Sequence, residues 1–293
     1  MNNSQSADLR NGSGKIFVLV HGAGQGAWAF GKVAWPLTRD GHQVVARDLP
    51  GHGLQARYPC SYLERPADPD RFAIEPSPLA YLTAQDYADE VTATISQLAE
   101  RMPERQIILA GHSFAGLTLS RVGEAIPHLI SRLVYLSAVM PAPGKSLFEY
   151  VASPEFSGSR ISPLLIGDPQ VTGVLRLDFR SADPGYRAEI KAAFAADVDD
   201  HDWQAVTNLL SPDVPVGWVA EPTAITAGRW GAIPRTYISC TADFTIPAAA
   251  HQLFIDEADK LTPGNPTEVR EMPTSHCPFP SQPEQLARTL LQL

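Results

Sequence analysis

Cysteine is scarce in this chain. Cys60, Cys240 and Cys277 are an odd number with no metal-type spacing, so neither a disulfide framework nor a zinc site is expected, and a reducing compartment fits best. Long apolar runs are missing as well. The longest early one, Ile16 to Val20, is far too short to cross a bilayer, and the polar stretch from Met1 to Lys15 has no secretory h-region. The expectation is a cytoplasmic protein with a flexible tail over residues 1–14 and no membrane partner. Basic clusters are also lacking: 23 Lys and Arg face 32 Asp and Glu, for a formal net charge of −9, which argues against nucleic acid as a partner. What remains is a globular balance, 44% hydrophobic and 19% charged, in 293 residues that can bury one large core.

Short buried strands alternate with helical patterns. Ile16 to Val20 and Val44 to Ala46 read as strands with a helix through Val33 and Leu37 between them, stopping at Gly41. Thr83 with Asp86 marks a helix start, after which Tyr87, Val91, Ile95 and Leu98 share one face up to Pro103. Further strands are read at Ile107 to Ala110, Leu133 to Leu136, Thr236 to Cys240 and Glu268 to Met272, with helices from about Pro247 to Ala258 and Gln285 to Leu291. This alternation predicts an α/β fold with a mostly parallel sheet covered on both faces. Two segments break it. Residues 54–82 are proline-rich and irregular, carrying Tyr58, Tyr62, Phe72 and Tyr81, and read as an insertion that is either a lid or a surface loop tied to the core. Residues 145–232 offer no comparable strand, only short helical stretches such as Tyr186 to Ala196 and Trp203 to Leu210, and read as an inserted helical cap on a core of residues 15–144 and 233–293.

Chemistry centres on Gly111-His112-Ser113-Phe114-Ala115-Gly116, an apolar strand meeting a Gly-flanked serine at the start of a helix. A serine on such a strand-to-helix turn projects its hydroxyl above the sheet edge. The simple alternative is Ser113 as a helix N-cap. A serine hydroxyl is a weak nucleophile near neutral pH and needs a base, itself oriented by an acid. Asp243 and His276 follow later strands, so serine, acid and histidine lie at strand tips on one sheet edge in that chain order. Alone, Asp243 would read as a helix cap and His276 as a loop histidine. Asp48, Asp86 and Asp256 are substitutes for the acid. The N–H groups of Phe114 and of Ala23, in the glycine loop after the first strand, are the natural oxyanion donors. His112 is expected to pack or hydrogen-bond at the turn, His21 and His52 to support the site, and His42, His128 and His251 to be solvated.

The segments Phe17 to Ala23, Gly26-Ala27-Trp28, Gly41-His42, Asp48-Leu49, Gly111 to Gly116 and Tyr237 to Asp243 with Ile246-Pro247 resemble the α/β-hydrolase group of plant methyl-ester esterases, hydroxynitrile lyases and related bacterial esterases. The likeness runs from about residue 15 to the end, with the cap matched loosely around Trp230 and Ile233-Pro234. It implies an α/β-hydrolase fold with a Ser-Asp-His triad and neither metal nor organic cofactor. Hydroxynitrile lyases of this group carry a threonine two residues after the first strand and a lysine directly after the histidine. This chain has Gly22 and Cys277 there. A positive charge for departing cyanide is therefore missing, which favours ester hydrolysis. The 54–82 insertion exceeds the group's norm, so pocket shape is not transferable.

The expectation is a small-molecule carboxylic-ester hydrolase, monomer or homodimer, in which Ser113 attacks, His276 shuttles the proton and Asp243 orients it. Gly22, Trp203 and Trp218 are expected to contact an apolar or aromatic substrate. The same triad working on a thioester, lactone or carbon–carbon bond, or as a lyase, is the competing reading, and a ligand-binding sensor without turnover the third.

Overall fold

The computed structural model describes residues 14–293, so the expected tail lies almost wholly outside the described residues. Six strands form one parallel sheet: β1 (Ile16–Val20), β2 (Gln43–Ala46), β3 (Ile107–His112), β4 (Arg132–Leu136), and two later strands that complete it as β7 (Arg235–Cys240) and β8 (Glu268–Met272). Their spatial order is β2-β1-β3-β4-β7-β8. Between β4 and β7 the chain adds a two-stranded antiparallel ribbon, β5 (Val174–Arg176) and β6 (Asp213–Pro215). This corrects the expectation of helices alone there; with three residues a side, neither strand is long enough to show an alternation.

The four inner strands are buried on both faces because helices cover both, whereas the edge strands β2 and β8 are partly exposed. Ile16, Val18, Val20 and Leu109 point to the side covered by α2 (Ala84–Arg101), α3 (Ala115–Ala125) and α6 (Ala248–Leu261). Phe17, Leu19, Ile108 and Ala110 point to the side covered by α1 (Gly31–Arg39) and α7 (Pro283–Leu291). Thr83 and Asp86 start α2 with a reciprocal capping box, as their spacing predicts. The remaining longer helices, α4 (Pro184–Phe194) and α5 (Asp200–Leu209), lie in the 145–232 segment and build a smaller apolar cluster of their own around Leu177, Ile190, Ala193 and Trp203.

The insertion over 54–82 folds into two short helices, Cys60–Leu63 and Pro69–Ile74, and is fastened to the ribbon. Arg176, fully buried, pairs with buried Asp213 through Nε (2.7 Å) and Nη2 (2.8 Å). Its Nη1 donates to the backbone carbonyls of Phe72 and Glu75, and its guanidinium lies 4.7 Å from the Phe72 ring centroid. One guanidinium thus closes insertion and ribbon together.

Candidate active site

Ser113 sits on a backbone that side chains rarely adopt, φ 57°, between the end of β3 and the start of α3. Such a residue costs about 1–2 kcal/mol and survives only where its surroundings fix it. They do: the Ser113 N–H donates to Leu136 O (3.2 Å), and its carbonyl accepts from Gly116 N (3.2 Å) and Val139 N (3.1 Å). The glycine demanded here is Gly116, where a Cβ would fall 1.9 Å from Val139 O, and this explains why Ala115 is tolerated one position earlier.

Asp243 and His276 reach the same edge from the ends of β7 and β8. His276 Nδ1 lies 2.6 Å from Asp243 Oδ2, with both side chains buried. The other carboxylate oxygen, Oδ1, accepts from the N–H groups of Thr245 (2.7 Å) and Ile246 (2.9 Å). Burial opposes ionisation of Asp243, but the imidazoles of His276 and His251 hold its carboxyl well below the usual range. His276 Nε2 is buried and has no hydrogen-bond partner among the described residues. That leaves one imidazole nitrogen free to exchange a proton. The substitute acids are occupied elsewhere: Asp48 accepts from Ala27 N and Leu54 N, Asp86 caps α2, and Asp256 is exposed.

The other histidines sort by bonding. His112 Nε2 lies 2.8 Å from the His276 carbonyl and so ties the Ser113 turn to the histidine loop. His21 Nε2 accepts from Leu49 N (3.0 Å), which puts the proton on Nδ1, facing Gly22 O (2.8 Å). His52 lies between Tyr87 Oη (3.1 Å) and Ser211 Oγ (3.4 Å). Burial lowers the pKa of His21 to about 4, of His52 to about 3 and of His112 well below the usual imidazole value, so all three are neutral at pH 7. His251 departs from expectation: it is 1% exposed, on the inner face of α6, and its Nε2 lies 3.6 Å from Asp243 Oδ2.

Neither Ala23 N–H nor Phe114 N–H donates to a protein acceptor among the described residues, whereas the neighbouring Gly22 N–H is held by Gln25 Oε1 (2.9 Å). Both residues face a cleft of about 900 Å³, counted with its open mouth, that also contains Ser113. Gly22 presses on the turn: a Cβ there would come within 2.9 Å of His112 Nδ1 and Ser113 Cβ. Trp203 and Trp218 do not line the cleft; Trp203 packs in the α4–α5 cluster, and Trp218 stacks on Tyr87 at 4.2 Å with its N–H on Thr118 Oγ1 (3.1 Å). None of residues 54–82 lines it either. The walls come instead from Leu147, Phe156, Leu175, Leu177 and Phe179, with Phe194 from the end of α4.

A strained serine turn at the carboxyl ends of parallel strands, a buried imidazole–carboxylate pair and two free amides above one sheet edge are the parts that serine hydrolysis on an α/β sheet requires. The chain belongs to the alpha/beta hydrolase family, whose profile matches residues 17–289. Among its relatives, polyneuridine aldehyde esterase of Rauvolfia serpentina is 27% identical over 292 residues, 95% of each chain. Methylesterase 18 of Arabidopsis thaliana is 26% identical over 288 residues, covering 94% of this chain and 95% of its own. Among solved structures, a pyrethroid hydrolase from Sphingobium faniae JZ-2 superposes with a TM-score of 0.73 at 24% identity, over 96% of this chain and 97% of its own, a likeness of fold.

Proposed function

We propose that this carboxylic-ester hydrolase cleaves uncharged esters with bulky apolar groups through an acyl-enzyme on Ser113. The observation that carries the reading is the buried His276 imidazole, paired on one side with Asp243 at 2.6 Å and unpartnered on the other. His276 Nε2 takes the Ser113 hydroxyl proton as Oγ attacks the carbonyl carbon, and the N–H groups of Ala23 and Phe114 receive the charge that develops on oxygen. His276 then returns the proton to the departing alkoxide, and water repeats the cycle to release the acid.

The cleft supports the substrate class. Among the described residues no charged side chain lines it, and most of its hydroxyls are already engaged: Ser159 donates to Thr245 O (2.8 Å), Thr245 to Ala193 O (2.9 Å) and Ser211 to Gly24 O (3.3 Å). A charged group bound here would lose its water without gaining a partner. Both the acyl and the alcohol portion are therefore apolar, aromatic or branched. The test is covalent labelling by an organophosphonate and turnover of a neutral p-nitrophenyl ester. Ser113→Ala abolishes both, and labelling at the wild-type rate in that variant would refute the assignment.

A further inference from the structure

His251 has no place in the proton transfers just described, yet it is built into them. It lies in the first turn of α6, one turn beyond the Asp243 loop, fully enclosed and edged by the Tyr237 ring at 5.2 Å between centroids. Its Nδ1 is 2.9 Å from Ser239 Oγ. Its Nε2 is buried without a hydrogen-bond partner, and Asp243 Oδ2 stands 3.6 Å away, beyond hydrogen-bond reach but within range for a strong charge–dipole attraction. A bare Nε2 lone pair facing a carboxylate would be repelled, so the ring proton belongs on Nε2 and Nδ1 accepts from the Ser239 hydroxyl. Oδ2 is the same oxygen that receives His276 Nδ1, while Oδ1 is spent on two backbone amides. Ser239, His251, Asp243 and His276 thus succeed one another through the interior, hydrogen-bonded at both ends and joined in the middle by the 3.6 Å approach of His251 Nε2 to Asp243 Oδ2.

We propose that His251 is a positioning residue for Asp243: its Nε2–H holds the buried carboxylate oriented so that Oδ2 keeps His276 in register with Ser113. This rests on the reading of Ser113, Asp243 and His276 given above. Asp243 is anchored by backbone amides through one oxygen only, so rotation of the carboxylate about that anchor is limited at Oδ2 by the two imidazoles. With His251 removed, His276 alone opposes that rotation.

The test compares His251→Phe, which fills the ring's space without a donor, with His251→Gln, whose amide donates to Oδ2 and accepts from Ser239. His251→Phe should lower kcat about tenfold with KM unchanged, and should shift or broaden the downfield proton resonance of the His276–Asp243 hydrogen bond. His251→Gln should restore both. Wild-type kcat and an unmoved resonance in folded His251→Phe, or a folded His251→Gln no better than His251→Phe, would overturn the proposal. Ser113→Ala and Asp243→Asn are run alongside. If those are inert while His251→Phe is wild-type, only the role of His251 fails; if they are active, the underlying triad fails.

Discussion

Ser211 N–H donates to the carbonyl of Gly24 at 2.8 Å, so the chain just before β6 is pinned to the loop that carries the Ala23 amide. Gly24 itself has φ 68°, and a Cβ there would lie 2.7 Å from Ser211 O. One contact therefore joins the chain bordering the cleft to the loop whose Ala23 N–H is the proposed oxyanion donor. Gly24→Ala is expected to force the two apart, costing about 1–2 kcal/mol in left-handed strain alone, and to lower kcat roughly tenfold or more through misplacement of Ala23 N–H. Thermal unfolding and steady-state kinetics on the same sample check both parts.

Asp243→Asn preserves shape while removing the charge that sets the His276 tautomer. The amide group can turn its NH₂ towards His276 Nδ1 and drive the imidazole proton to Nε2, where it faces the serine instead of accepting from it. The comparable change in other serine triads costs about 10⁴-fold in kcat. A loss of that order at unchanged fold, measured by ester turnover and circular dichroism, is expected here.

Leu177→Ala removes three carbons from the cleft wall. For a branched or aromatic ester that fills the cleft, kcat/KM should fall by about tenfold or more, a single methylene of apolar contact being worth at least about that much, and much less for an acetyl ester. Parallel kinetics on p-nitrophenyl esters of rising acyl size would reveal the crossover; an equal loss across the series would place Leu177 outside the substrate's reach.

Arg176→Ala strands Asp213 without a partner in a dry interior. Breaking a buried pair in this way costs about 3–5 kcal/mol, and the variant also forfeits the donations to Phe72 O and Glu75 O. Urea unfolding should report a loss of that size. A double replacement of Arg176 and Asp213 by Met and Leu should be milder, since no charge is left uncompensated.

Stability should fall as the solution is acidified from neutrality. His21 and His52 are held neutral by burial, with pKa values of about 4 and about 3, whereas in the unfolded chain each titrates near 6.5. Between roughly pH 6.5 and 4 the unfolded state binds more protons than the folded one, so stability declines by about 1.4 kcal/mol per pH unit for each histidine. His52→Gln, lacking one of these buried histidines, should show a shallower decline of its denaturation midpoint over that window.

The centre of the sheet could be read in advance because a parallel strand buried on both faces is a continuous apolar run, as Ile16–Val20 is; the edge strand Glu268–Met272 has the bounds read for it although three of its five residues are charged. Ser113 was legible for a related reason: its turn chemistry is local. The cleft was not, since its walls combine residues as far apart as Leu147, Leu177 and Phe194, which only the tertiary fold brings together. Trp203 and Trp218 attract attention by size, yet size is as well served by a satellite core as by a cavity wall. His251 left a signal that solvation as a default for histidine obscures. It precedes Phe254 by three residues and Ala258 by seven, the spacing of α6's buried stripe.

Strands β4 and β7 are immediate neighbours, paired from Leu133↔Arg235 to Leu136↔Ile238, although about a hundred residues separate them in the chain. Everything that walls the cleft from Leu147 to Val214 is thus an excursion leaving and re-entering at adjacent points of a finished sheet. Such an excursion can lengthen, shorten or be exchanged for another at little cost in closure entropy, while the strand tips bearing Ser113, Asp243 and His276 stay where the sheet puts them. On the proposed reading, substrate range and bond-breaking apparatus can therefore diverge at separate rates within one polypeptide, and grafting the excursion of a relative onto this sheet is a direct route to a new ester preference.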